Sequence, residues 1–333
     1  MKKILLIATG GTIAAKPTDD GMVPMIAPEE LLQSVPGISA LCETETVRPM
    51  NLDSTDMRPA HWLTLAQCVE QNYGRFDGFV IAHGTDTMAY TAAALSYLLQ
   101  NIAKPVVLTG AQKSIYLTDT DARLNLWDAF FYALDARSHG VSIVFDGKAI
   151  VGTRARKTRT KSRNAFQSVD YPELALLQDG RILRYIPEPA PLGEPTFYRA
   201  LNERVAVLKL IPGISSDIIH YLRQNYDALV IESFGVGGIP SYGNDRFMDA
   251  IRDWMHDGKT VVMTTQVPHE GSDMAIYHVG HRVKSQYDVI EAYTMTLEAV
   301  VTKLMWILAI TRDAAEIRRL FYKPVAHDLL QIE

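Results

Sequence analysis

Cysteine is scarce in this chain: its 333 residues include two, Cys42 and Cys68. Two thiols make no disulfide framework, so a reduced, cytoplasmic protein with ordinary thiols is expected. Long apolar runs are lacking too. The longest, around Leu304 to Ile310, falls far short of the roughly 20 residues a membrane span needs. The run Ile4 to Ala8 behind Met1-Lys2-Lys3 is too short for a signal-peptide core and reads as a first strand. Basic charge is not in excess. With 33 Lys and Arg against 38 Asp and Glu, the net charge of -5 offers no global attraction to nucleic acid or to an anionic membrane. A phosphate loop is missing as well. Counted from Gly10, a Walker loop needs Gly, Lys and Ser or Thr at 15, 16 and 17, where the chain has Ala15, Lys16 and Pro17. In "FGVGGIP", Pro240 takes the place of the last glycine of a dinucleotide fingerprint, which argues against NAD. His278 and His281 have the spacing of a metal pair but no third-ligand pattern beside them, and no metal is expected. There is no internal repeat and no low-complexity tract.

What is present is alternation. Short apolar runs, "KILLIA", "DGFVIAH", "KPVVLTG" and "GVSIVFD", are interleaved with helically spaced segments such as "PAHWLTLAQCVEQNY" and "DARLNLWDAFFYALDA". Strand and helix in repetition imply right-handed crossovers and a doubly wound, mostly parallel sheet covered on both faces. The pattern fails over Arg181 to Arg204, where "PEPAPLGEP" reads as a semi-rigid extended connector. It restarts in "RVAVLKL", "YDALVIESF" and "GKTVVMTT". The expected organisation is therefore a larger α/β domain over 1–186, a linker over 187–204 and a smaller α/β domain over 205–333. "TLEAVVTKLMWILAI", apolar almost all round, reads as a buried core or interface helix.

Open parallel sheets bind ligands beyond the carboxyl ends of their strands. Two loops at such ends carry chemistry: Thr9-Gly10-Gly11-Thr12 and His83-Gly84-Thr85-Asp86-Thr87, the latter leading into a helix that starts near Thr87. Glycine beside a hydroxyl lets backbone N–H groups approach a substrate carbonyl, and the helix N-terminus adds donors and partial positive charge. Taken alone, "GTDT" is a helix cap. Paired with "TGGT", that reading weakens, and both loops are expected on one rim. The basic run "RARKTRTKSR" alternates from Lys157 to Arg163, as on one face of a strand; such runs are mostly solvated, and no nucleic acid partner is expected.

These motifs resemble those of the bacterial-type L-asparaginases, amidohydrolases with a threonine nucleophile. "ATGGTIA" and "HGTDTM" look like the two family signatures, and "DSTDM", "KPVVLTGAQ", the lysine of "RARKT" and "FGVGG" follow in the family's order. The likeness covers essentially the whole chain and is closest to the cytoplasmic, type I branch. It implies hydrolysis of L-asparagine to L-aspartate and ammonia without a cofactor, with Thr12 as nucleophile. Thr85, Asp86 and Lys157 match the second catalytic group. For the substrate, the resemblance implies Gly11, Asp53, Ser54, Thr55, Gly84, Thr85, Asp86 and Ala111, with Asp86 on the α-ammonium and Ser54 and Thr55 on the α-carboxylate. Backbone N–H groups near Gly11 and Thr85 are the natural oxyanion donors. A threonine hydroxyl must lose its proton as it attacks, and the sequence leaves open whether Lys157 relays that proton through Thr85 or sets the local potential.

Where relatives carry a tyrosine in the loop after the first signature, this chain has Met22, so Tyr277 from a neighbouring subunit is the candidate replacement. Gly238 stands where relatives often carry an asparagine that reaches an adjacent site. A homodimer or homotetramer with sites near subunit contacts is implied. Three alternatives stand beside this reading: a glutaminase-asparaginase, the amidase subunit that serves tRNA charging, and a non-catalytic amino-acid sensor on the same fold. The amidase subunit normally carries an extra N-terminal domain, for which "TGGT" at residue 9 leaves no room.

Overall fold

The computed structural model describes residues 1–18, 21–24, 26–242, 244–276 and 289–330. The chain divides into two units, Met1–Arg199 and Ala200–Glu333.

In the first unit five parallel strands lie side by side: Lys3–Ala8, Glu43–Val47, Gly78–Ala82, Pro105–Thr109 and Gly140–Phe145. Numbered along the chain, their order across the sheet is 2-1-3-4-5. Ile4, Leu6, Val80 and Val107 are fully buried, and so are Ile7, Phe79, Ile81 and Val106 on the opposite parity. Burial on both faces is what uninterrupted apolar strands require, and the helices Pro59–Asn72, Met88–Leu98 and Ala122–Leu134 return the chain between them. The expected doubly wound, mostly parallel sheet is present. Direction along the sheet reverses between strands 1 and 3. That reversal leaves a crevice outside their carboxyl ends, and it is there that the loops after Ala8 and after Ala82 emerge.

Beyond Gly140–Phe145 the sheet continues with three antiparallel strands, Lys148–Val151, Ala175–Gln178 and Arg181–Leu183. Their hairpins turn at Asp146-Gly147 and Asp179-Gly180, where all four residues have positive φ, the conformation for which Asp-Gly is preferred in two-residue turns. Thr196–Phe197, after the prolines, pairs with Leu99–Gln100. Thus the proline-rich stretch is flanked on both sides by short strands that its composition conceals.

The second unit has four parallel strands in sequential order, Val205–Lys209, Ala228–Ser233, Thr260–Thr265 and Ile290–Glu291. Trp254, Ile251 and Phe247 from the helix Arg246–His256 pack into its core. In the helix Leu297–Ile310, Glu298 through Leu308 are buried. This burial includes Lys303, whose ammonium meets Asp328 at 2.6 Å with neither side chain exposed. An ion pair so enclosed is held by geometry, since removing either member would leave the other uncompensated. No helix among the described residues is long and apolar enough to cross a membrane.

Candidate active site

Three loops meet at the reversal, and glycines let them touch backbone to backbone. After the first strand the chain passes through Gly10 at φ 106° and Gly11 at φ 75°, then enters a 3-10 turn over Thr12–Ala14. A Cβ on Gly10 would lie 2.5 Å from the Leu52 carbonyl oxygen, and one on Gly11 would lie 2.5 Å from the Gly84 nitrogen. Both positions therefore exclude any side chain. Leu52 N–H donates to Thr9 O at 2.9 Å and Gly11 N–H to Leu52 O at 3.1 Å. Ser54, 3% exposed, packs so closely on Gly84 that a Cβ there would sit 2.6 Å from its Oγ. The Thr87 hydroxyl, instead of capping its own helix, donates to Ser54 O at 2.7 Å. It ties the second loop to the third.

The third loop, His83–Asp86, is fixed from below by a buried relay. The Trp62 indole N–H donates to Thr91 Oγ1 at 3.0 Å. Indole is a donor only, so the single proton of Thr91 is left for His83 Nε2, also at 3.0 Å. His83 Nδ1 then carries the ring proton and donates it to Gly84 O at 2.7 Å. His83 is fully buried, and loss of solvent pushes its pKa down to about 4, outweighing the pull of the Gly84 carbonyl. The imidazole is a neutral strut for the Gly84-Thr85 peptide.

Lys157 arrives from the short strand Ala155–Lys157, paired with Phe166–Ser168. Its ammonium donates to Thr85 Oγ1 at 2.7 Å and to Asp86 Oδ1 at 2.7 Å. The Lys157 side chain is 15% exposed and that of Asp86 58%, so the pair faces solvent through the carboxylate. The strand ends at Lys157, contrary to the expected one-faced alternation up to Arg163. Thr158 N–H and Arg159 N–H both turn back onto Ala165 O, at 2.8 and 3.3 Å, which closes a loop and disperses the basic side chains.

Thr85, Asp86 and Lys157 are thus joined directly, while Gly11, Gly84 and Ser54 pack against one another beside them. Thr12 follows Gly11 and is half-buried. The Gly11 N–H, one of the expected oxyanion donors, is committed to Leu52 O. Among the described residues the Thr12 and Thr85 N–H groups have no intramolecular acceptor. Asp53 and Thr55 are bonded to each other, Thr55 donating to Asp53 Oδ1 from both N and Oγ1 at 2.9 Å. Neither is bonded to the Thr85–Lys157 group. Ala111 is 1% exposed, which leaves its backbone as the part able to serve a ligand. Tyr277, His278 and His281 lie outside the described residues. Met22 falls in the strand Gly21–Pro24, paired antiparallel with Ala15–Thr18.

Gln112 closes the motif "KPVVLTGAQ", but the sequence assigns it no role in the site. Its Oε1 accepts from Thr85 Oγ1 at 3.3 Å and its Nε2 donates to Ser162 O at 3.1 Å, joining the loop after Lys157 to the loop that carries Thr85. Its backbone is held in turn by Asp121, whose carboxylate takes the N–H groups of Gln112 and Lys113 at 2.9 and 3.0 Å. Nothing in spacing or periodicity marks a glutamine for such a place. No group of three or more His, Cys, Asp or Glu among the described residues could hold a metal ion.

Residues 3–189 match the family model "Asparaginase, N-terminal" and residues 204–321 match "Glutaminase/Asparaginase C-terminal domain". The chain belongs to the asparaginase family. Among curated relatives, the L-asparaginase of Thermococcus kodakarensis is 38% identical over 332 residues, which covers 98% of this chain and 99% of that one. L-asparaginase 1 of Escherichia coli is 33% identical over 331 residues, covering 96% of this chain and 95% of that one. The solved structure of the thermostable L-asparaginase from Thermococcus kodakarensis superposes with a TM-score of 0.92 at 36% identity, covering 99% of this chain and 100% of that one.

Proposed function

We propose that this chain is an L-asparaginase that hydrolyses the side-chain amide of L-asparagine to L-aspartate and ammonia through a threonine ester. The observation that carries the reading is the Lys157 ammonium held between Thr85 Oγ1 and Asp86 Oδ1 beside the glycine-paved turn that delivers Thr12. In this reading Thr12 Oγ attacks the amide carbon, and the open N–H groups of Thr12 and Thr85 receive the oxyanion. A preorganised donor of this kind contributes about 2.7–4 kcal/mol. The proton leaving Thr12 passes to the Thr85 hydroxyl, which gives up its own to the departing nitrogen, so ammonia leaves and a β-aspartyl ester remains. Water then attacks the ester while the same pair of hydroxyls returns a proton to Thr12. No net proton is asked of Lys157, which orients Thr85 and offsets developing negative charge.

Asp86, mostly exposed beyond Lys157, takes the substrate ammonium. Ser54 and Thr55 take the α-carboxylate, and Gly84 leaves the room a side chain would fill. Tyr277 of a neighbouring subunit is proposed to complete the site in place of the residue relatives carry near Met22, which makes the functional species a homodimer or homotetramer. Light scattering on the purified chain tests that assembly.

Ammonia release from L-asparagine tests the activity itself. Turnover by the wild type, absent in Thr12→Ala and Thr85→Val although substrate still binds, is the expected result. Binding of asparagine without ammonia release would leave the sensor reading standing. Rates on asparagine and glutamine set the substrate range, since one methylene in a fitted pocket is worth about 1–3 kcal/mol.

A further inference from the structure

A cavity of about 360 Å³ lies on the far side of the helix Ala122–Leu134, walled by that helix and by the turns at Asp146-Gly147 and Asp179-Gly180. Asp128, Asp146 and Asp179 supply its carboxylates, and Trp127, Phe131 and Leu177 its apolar wall. Asp128 is 7% exposed and has neither hydrogen-bond nor ion-pair partner among the described residues. Its surroundings make this unusual. Asp121, two turns earlier, accepts from Gln112, Lys113 and Asn125. Asn125, the nearest amide along the helix, is already committed: its Nδ2 donates to Gly110 O and Asp121 Oδ2, and its Oδ1 accepts from Asp146 N. Burial first, and the Asp146 carboxylate second, push Asp128 up to about 6, so at neutral pH a largely ionised carboxylate faces this cavity with nothing of opposite sign bonded to it.

We infer that this cavity is a binding site for a small primary ammonium ion with an apolar body. Three N–H donors on one cationic head suit acceptor-only carboxylates on Asp128 and Asp146, and aromatic faces beside them favour a cation over a neutral head group. A short alkyl or aryl chain would lie along Trp127, Phe131 and Leu177. A hard divalent cation is the weaker fit, because it needs six or more oxygen ligands and no metal-holding group of three occurs among the described residues. Arg181, exposed at the same cavity, offsets one of its three carboxylates.

The test is calorimetric titration of the full chain with 2-phenylethylammonium chloride at pH 7.5. Asp86 is itself a carboxylate exposed to ammonium ions, so the titration is run in the Asp86→Ala background as well. Saturable binding that persists in Asp86→Ala and weakens at least tenfold in Asp128→Asn is the expected result. Asparagine turnover unchanged in Asp128→Asn shows that the variant is folded. Any of four outcomes overturns the inference: no saturable binding, equal binding to Asp128→Asn, loss of binding in Asp86→Ala, or equal binding of 3-phenylpropionate. Saturation by magnesium or calcium with displacement of the amine would overturn it in favour of a metal site. None of these results bears on asparagine hydrolysis, which stands or falls on ammonia release.

Discussion

His83 should remain unprotonated in the native protein down to about pH 5, and its burial should make the fold acid-sensitive by a calculable amount. In the unfolded chain a histidine titrates near 6.5, whereas in the fold His83 is pushed down to about 4. Above 6.5 both states are neutral and the residue contributes no pH dependence. As pH falls below 6.5 the unfolded chain takes up a proton that the folded chain refuses, so stability drops until the folded pKa is reached. At 1.36 kcal/mol for each pKa unit, the loss amounts to about 3 kcal/mol between pH 6.5 and pH 4. The relay gives this refusal a second cause besides burial. A proton on Nε2 would meet the Thr91 hydroxyl's own proton, which must first rotate away while the oxygen keeps its bond from Trp62. Two-dimensional NMR of labelled histidine side chains reads the ring directly: His83 should keep its Nδ1–H tautomer through pH 5. Denaturant melts then compare wild type with His83→Gln, whose stability should fall less steeply with acid by about 3 kcal/mol over that window. A His83 ring that titrates near 6.5, or parallel stability curves for the two proteins, would refute the reasoning.

The catalytic group yields further expectations. Lys157→Met removes the charge that orients Thr85 and should lower kcat by about 10²–10³-fold, with an intact fold by circular dichroism. Asp86→Ala should raise KM for asparagine as well as lower turnover, since a hydrogen bond to a charged group is worth about 1.5–3 kcal/mol; an unchanged KM would remove Asp86 from the ammonium site. Gly11→Ala places a methyl against the Gly84 nitrogen at positive φ and should cost at least about 1–3 kcal/mol in a thermal or urea melt. Tyr277→Phe should leave folding intact and reduce turnover markedly; wild-type kinetics would exclude it from the site.

Legibility in the sequence follows the physics of each element. The parallel strands are plain because burial on both faces demands unbroken apolar runs, and the helices Pro59–Asn72 and Ala122–Leu134 match their helical spacing closely. The antiparallel extension is not. Arg181–Leu183 is an edge strand with exposed residues, so it carries little apolar pattern to set it apart from the prolines that follow. The basic run suggests a longer strand because alternation of charge imitates alternation of faces. What ends that strand is two N–H groups converging on Ala165 O, which no composition reveals.

The same distinction governs the rim. Thr12, Thr85, Asp86 and Lys157 are nameable only through the family resemblance, while the parts that hold them act largely through backbone. Gly10, Gly11 and Gly84 are needed for the space they leave, and Gln112, Asp121 and Thr87 act by bonding carbonyls and N–H groups of neighbouring loops. Because the reversal in strand order brings the loops after strands 1 and 3 side by side, a side chain at Gly11 or Gly84 would part them. The loop that carries Thr12 would then be pushed from the loop that carries Thr85, with every proposed catalytic residue still in place. A glycine-to-alanine change on this rim should therefore depress turnover more than it depresses stability, and a variant that lost stability alone would show that close approach of the backbones serves the fold and not the reaction.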